Sequence, residues 1–514
     1  MFRKITVALF VLIFVCSLQS TTAREAKDRM SMMRTSSTPA KIVNPHADFP
    51  INGVSYNQPN RQPGRDLGET MEIGFTWYDY QHNGSIGQMI VRDNNDGTHF
   101  VYMCGFNANQ NPRHLVYNYL DPDGRLLENP RDPLVVDGHD RSGYGTVSFL
   151  PEDDRAIVFY HVTGHIEDEP NILGSALSSD WMLGIGAFTA SYPPIWEGVE
   201  LAWPHGTIDF QNVAHVTSTE SAPEDQLWQR VAYSRGVPDR DFLDWEWNNQ
   251  PIEIDITGVI SSVVAASPQS ERVAITWHHN LVGEVDRFWD EFRGAWQRNN
   301  DIRYIISEDG ENWDWDDGIE SMTQIVLPNA DLLEDDPIRA WGDTLRPYCD
   351  VDIEFDPWED GDNLYGVFAA SGFKEHPLGG DADEPVFAYA VNGHLWFWSS
   401  ETDEITLIYD GWYNNYMDNP NAAGNFRPGV WRLNADRGSI VFDPEVPGNI
   451  YVVWEWSRPI MSIDENGEDW NFHENAQDTS ESGYVNKEIM ISASTDFGRT
   501  WHVPVNVTET ISEG

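Results

Sequence analysis

From about residue 68 the chain alternates short apolar runs with breaks rich in Gly, Asp and Asn. The runs are dominated by β-branched and aromatic residues, which fit a pleated, half-buried strand better than a helix. They come in pairs across a turn: 87–92 with 98–103, 145–149 with 156–161, 207–216 with 227–234, 258–266 with 272–277, 349–355 with 364–369, and 438–442 with 449–454. Pairs recurring about every fifty to seventy residues indicate one supersecondary unit repeated around a ring. Six units are counted and seven stays open. The stretch 71–77 reads as an outer strand that closes the ring against the last unit. Only 286–299 breaks the texture: Phe288, Trp289, Phe292 and Trp296 stand at helical spacing, so a helix inserted in the fourth unit is expected.

Near the end of the chain Ser494, Asp496, Gly498, Thr500 and Trp501 form a Ser-x-Asp-x-Gly-x-Thr-Trp run between two strand-like segments. An Asp carboxylate there can accept backbone N–H groups of the turn, and Gly supplies a positive φ. Looser copies lie at 307–313, one residue short, and at 462–470, one residue long. The run resembles the Asp-box, or BNR repeat, of sialidase-like β-propellers. That resemblance implies an all-β propeller of four-stranded blades with Asp-box turns, in which the box is a structural turn remote from the active site. It does not extend to a catalytic set, because the Arg-Ile-Pro signature of sialidases is missing and Asp301-Ile302-Arg303 has the wrong order.

The first 23 residues read as an export signal: Arg3 and Lys4, an apolar run to Leu18, and small residues before Ala23. A polar leader and lead-in, 24–66, precede a propeller domain over 68–514. The expected location is therefore secreted or cell-surface, with no membrane insertion after signal cleavage. The formal charge of −51 argues against nucleic acid as a partner, since phosphates would be repelled. Signal cleavage leaves Cys104 and Cys349, whose pairing sequence leaves open.

Candidate chemistry sits at strand ends. His139, Arg141 and Tyr144 precede an inner strand, and His161 ends the next one. A His pair flanking one hairpin resembles the paired His of propeller-type polysaccharide lyases. The resemblance implies proton transfer by His139 and His161, with Tyr144 and Arg141 as partners. His278 and His279 are adjacent on a strand and so point to opposite faces, which keeps them from sharing one metal. His205 and His215 stand alone. Turns at 93–97, 121–124, 314–317 and 464–468 space oxygen ligands two apart, which makes structural calcium an expectation, although none is a full EF-hand loop. Two functions follow: a non-catalytic propeller recognising an extracellular glycan or cell-surface component, and, as the alternative, a glycoside hydrolase or polysaccharide lyase working at the rim.

Overall fold

The computed structural model describes residues 41–42 and 71–508, apart from 222–228, 281–286, 291–294, 324–326, 329–343, 373–385, 388–392, 412–431, 458–461, 464–469, 472–486 and positions 79, 108, 111, 140, 167–168, 299 and 360. The signal, most of the leader and the turn of the 462–470 box lie outside the described residues.

Six antiparallel sheets form a β-propeller, and no helix occurs among the described residues. From the axis outward, blade I comprises Ile90–Arg92, Thr98–Gly105, Arg113–Leu120 and Leu134–Val135. Blade II has Ser142–Phe149, Ala156–Val162, Gly174–Asp180 and Phe188–Ser191. Blade III has Leu201–Ile208, Ala214–Glu220, Gln229–Pro238 and Trp245–Trp247, with Ile252–Thr257 also on its third strand. Blade IV has Ser262–Ala266, Val273–Asn280, Asn300–Ser307 and Glu320–Ser321. Blade V is built on Thr344–Phe355, Leu364–Gly372, His394–Ser399 and Glu404–Tyr409, extended by Leu327–Pro328 and, in parallel, by Lys41–Ile42. Blade VI has Ala435–Phe442, Ile450–Ser457, Lys487–Ser494 and Val505–Asn506.

Three readings of the sequence change. In blade III the inner strand begins at Leu201, because Asp209 folds 209–213 into a turn by accepting N–H bonds from Gln211 and Val213 at 2.8 Å each. The stretch 71–77 closes no ring; it lies along blade I, where the Trp77 N–H donates to the Gly105 carbonyl at 3.0 Å and Asn118 donates to the Ile73 carbonyl. The helix at 286–299 is instead two short strands, Arg287–Asp290 and Ala295–Arg298, paired to each other. Aromatic residues favour a strand, and an internal Gly294 penalises a helix by about 1 kcal/mol.

Apolar clusters fill the seams between consecutive blades. Leu115, Tyr117, Val147 and Val158 join I to II, while Phe159, Ile157, Val216 and Trp245 join II to III. Between IV and V the cluster contains Phe368, Trp396 and Trp398, and between V and VI it contains Phe397, Trp454 and Trp501. The box at the tip of blade VI serves the last seam. Asp496 accepts from the Thr500 N–H at 2.9 Å and the Thr500 hydroxyl at 2.7 Å, Gly498 takes φ +80°, and the Trp501 indole donates to Thr406 Oγ1 of blade V at 3.1 Å. The shorter copy uses Asn312 in place of Thr500, donating to Asp309 at 2.7 Å from both its N–H and its side chain. Residues 462–463 and 470–471 form a separate two-stranded hairpin.

Blades I and III share a buried Asp-His-Tyr set. His99 Nδ1 lies 2.7 Å from the Tyr117 hydroxyl and its Nε2 lies 3.4 Å from Asp93. His215 repeats this with Tyr233 at 2.7 Å and Asp209 at 3.0 Å. Each carboxylate also caps the turn between the two innermost strands, so the set ties turn, second strand and third strand together. Cys104 and Cys349 are both buried and not bonded to each other.

Candidate functional site

Inner strands of four blades carry a bulge near their start. The pairing slips between Gly143 and Thr146, Ala202 and His205, Pro347 and Val351, and Asp436 and Ser439. In three of them the extra residue has left-handed backbone without being Gly: Tyr144 (φ 49°), Trp203 (φ 52°) and Arg437 (φ 62°). Left-handed backbone at a bulky residue costs about 1–3 kcal/mol and clusters at ligand sites, where a bulge re-aims a side chain. The sequence signal is a large side chain followed by Gly or Pro at a strand start: Tyr144-Gly145, Trp203-Pro204, Arg437-Gly438.

The segment 76–88 then crosses the axis at this end. Ser85 is buried, with its hydroxyl 2.6 Å from that of Ser261 in blade IV, and it accepts from the Val351 N–H of blade V at 3.2 Å. Gly84 (φ +86°) makes the crossing possible, because any Cβ there would run into the Ile260 carbonyl oxygen. The segment brings Tyr78, Tyr80 and His82 to the mouth of the channel.

Around Tyr78 the mouth is assembled from blades I, II and III. The Arg113 guanidinium sits over the Tyr78 ring at 5.0 Å and the Tyr144 ring at 5.5 Å, and the two phenols lie 3.1 Å apart. Tyr144 packs edge-on against His161 at 5.1 Å, and His161 against Trp203 at 6.4 Å. His161 is 2% exposed, and burial, helped by the Arg113 and Arg141 cations, pushes it well below the usual imidazole range, so the ring is neutral. Its Nδ1 accepts the Trp203 backbone N–H at 3.4 Å, which leaves the ring proton on Nε2. That Nε2–H has no hydrogen-bond partner among the described residues; neither do Arg113 Nη2 and the Trp203 indole N–H. Arg113 also has no carboxylate within 4 Å among the described residues. Three buried donors, from three strands, thus lie along one run of ring contacts, each without an acceptor among the described residues. A buried donor left unpaired costs about 1–3 kcal/mol, which an acceptor-rich ligand would recover.

The four residues singled out in the sequence all lie at this end of blade II, but in two settings. Tyr144 and His161 belong to the donor cluster. Arg141 is exposed beside it, with its backbone bridged to Arg113. His139 is in another environment: its Nδ1 lies 3.5 Å from Asp137, and its ring meets Tyr192, on which His165 stacks at 5.0 Å. Burial and the neighbouring His139 lower His165 to about 4. Arg113, Tyr78 and Trp203 escape a sequence reading because they come from three different elements. The turns that join each inner strand to the next strand are at the opposite end of the channel.

On the far side of the mouth the cations are matched. Arg432 sits over Tyr80 at 5.6 Å and pairs with Glu455 at 2.6 Å, and Lys487 pairs with Asp436 at 2.6 Å and Glu455 at 3.3 Å. Burial alone would raise Glu455, but Lys487 and Arg432 hold it down at about 2. The turn carboxylates considered for calcium are used locally: Asp93 accepts from Asn95 and Gly97, Asp121 from Arg125, and Asp314 from Asp317. The turn at 464–468 lies outside the described residues. Among the described residues no group of three His, Cys, Asp or Glu side chains is arranged to hold a metal ion. His278 and His279 do point apart, to Ser261 at 2.8 Å and Asp255 at 2.7 Å.

No protein-family model matches the chain, and no curated protein matches it. Among solved structures it is similar to an ulvan lyase (10% identity, 83% of this chain and 85% of that one, TM-score 0.43). It is also similar to an α-L-arabinanase of Penicillium chrysogenum in complex with arabinobiose (10% identity, 71% and 87%, TM-score 0.39). A third is a mutant Trypanosoma rangeli sialidase with trans-sialidase activity (10% identity, 74% and 52%, TM-score 0.35). No residue role passes from these proteins to this chain.

Proposed function

We propose that the protein is an extracellular glycan-recognition propeller whose mouth binds an acidic sugar, with the carboxylate or sulfate of that sugar on Arg113, His161 and the Trp203 indole. One observation supports this reading above the others: three buried, unpartnered N–H donors lie along one run of ring contacts that starts at an arginine without a carboxylate among the described residues, in a chain of net charge −51. In so acidic a protein an unmatched guanidinium is the feature that needs an external anion. Tyr78, Tyr144 and Trp203 supply the aromatic faces on which a pyranose ring stacks.

A second reading, a polysaccharide lyase, is favoured by the strained placement of Tyr144 against His161. In that reading Arg113 and the His161 Nε2–H neutralise a uronate carboxylate. His139, paired with Asp137, takes the C5 proton, the C4–O bond breaks as C4=C5 forms, and Tyr144 protonates the leaving oxygen.

Titration calorimetry of the exported protein with polygalacturonate, a sulfated galactan and a neutral glucan tests the first reading. Binding of an acidic polymer and not of the glucan is expected, and Arg113→Ala should weaken it about 10- to 100-fold, the contribution of a charge-assisted hydrogen bond. Arg113→Lys should recover only part, since ammonium lacks the planar fork. Equal affinity of wild type and Arg113→Ala would remove the assignment. Growth of unsaturated-uronate absorbance during the titration, lost in Tyr144→Phe, would select the lyase.

A further inference from the structure

Below the crossing segment the channel opens into a cavity of about 420 Å³ between the inner strands of blades I to V. Its character is opposite to that of the mouth. Asp352 and Glu354 stand at alternate positions of the inner strand of blade V, so both face the channel. One Asp352 oxygen accepts from the Ile440 N–H at 3.0 Å and the Ser439 hydroxyl at 3.2 Å. The Glu354 side chain makes no hydrogen bond or ion pair with any described residue. His205 enters from blade III; it is 6% exposed, lines the cavity and makes no side-chain hydrogen bond to a described residue. Ser148 and Thr207 add hydroxyls, and 263–266 of blade IV an apolar wall.

Two carboxylates, a neutral imidazole and hydroxyls call for a ligand that brings donors. A directly bound metal ion fits poorly. The Cα atoms of alternate strand positions stand roughly 7 Å apart, and among the described residues no third His, Cys, Asp or Glu joins the two carboxylates in a metal-holding group. That separation suits two positive nitrogens on a short apolar linker. We propose that this cavity is a second ligand site, independent of the mouth, for a compact organic diammonium whose two nitrogens meet Asp352 and Glu354 and whose remaining N–H groups meet His205 and the channel hydroxyls.

The charge state of the wall makes the site pH-dependent. Burial raises Asp352 to about 7 and Glu354 to about 8, the latter helped by Asp352. Of the other titratable groups, His205 and Asp209 of blade III line the cavity, His82 of the crossing segment packs against His205 at 6.1 Å, and Asp350 of blade V and Arg437 of blade VI lie on the neighbouring inner strands and interact with each other. His205 is held at about 4 by burial, helped by Arg437, and stays neutral above that range. Binding of a dication favours ionised carboxylates, so affinity rises from pH 6 to pH 9 and protons are released.

Calorimetry of the exported protein with 1,4-diaminobutane at pH 8.5 tests the site, with calcium chloride as the comparison. Saturable one-to-one binding is expected, weakened at least tenfold by Glu354→Gln and by Asp352→Asn and left unchanged by Arg113→Ala. Ser148→Leu, which narrows the cavity and removes no charge, should also weaken it, so the outcome does not hang on one variant folding. Absence of saturable binding to wild type, undiminished binding in Glu354→Gln, or a response to calcium without one to the diamine would each overturn the proposal.

Discussion

The two ends of the axis are walled by the same inner strands and separated by the crossing segment, yet they present opposite chemistry. At the mouth, bulges turn Tyr144 and Trp203 out of the strand alternation and leave N–H donors unpaired. In the cavity the alternation is regular, and it lines up Asp352 and Glu354 as acceptors. Bulge or no bulge decides which side chains a blade offers to the axis. Overall charge does not: the acidic excess of the whole chain reappears in the cavity, whereas at the mouth Arg432 and Lys487 are matched by Glu455 and Asp436 and Arg113 stands without a carboxylate among the described residues.

The comparison breaks most sharply at the wall between the two ends. Gly84→Ala forces a Cβ into the Ile260 carbonyl at a positive φ, so a loss of about 3 kcal/mol or more in urea denaturation is expected, with both ligand responses weakened together. A fully stable Gly84→Ala protein would mean that the partition is not a structural element. Next in size is the pH response of the cavity. Asp350, Asp352 and Glu354 are raised to about 6, 7 and 8, chiefly by burial, so between pH 4 and pH 8 the folded state holds protons that the unfolded chain releases. The contribution of these three groups to stability is therefore fully present below the unfolded carboxyl range, under about pH 4, and is lost progressively as pH rises to 8, so the melting temperature should fall over that window. Glu354→Gln should flatten the upper part of that curve in melts taken across pH, while Arg113→Ala should not. The smallest expected effect is a control on both ends. Asp496→Ala removes the clasp of the blade VI hairpin and should cost about 1–2 kcal/mol without changing either ligand response.

How much of this is legible in the sequence depends on how far apart the partners lie. Strand pairs and the 494–501 turn are local, so residue type and turn chemistry define them; the blades at 145–161, 349–369 and 438–454 fall where the pattern puts them. The 286–299 segment misleads because four aromatics at helical spacing look alike in a helix and in a tight pair of strands, and only Gly294 tips the balance. The mouth is half visible. Tyr144 and His161 flank one hairpin, but Arg113, Tyr78 and Trp203 reach them only through the ring. A periodic signal is also present that the strand pattern hides: His stands six residues after Asp and eighteen before Tyr in both 93–117 and 209–233, the spacing that builds the buried sets of blades I and III.

The crossing segment also sets an order of events during synthesis. Ser85 leaves the ribosome long before its partners, which lie 176 residues later at Ser261 and 266 residues later at Val351. Blades I, II and III can pair their strands as they emerge, since their contacts are local. The stretch that parts the mouth from the cavity must wait for blades IV and V. The axis is thus the last region to become native, although the chain that bars it is among the first to be made.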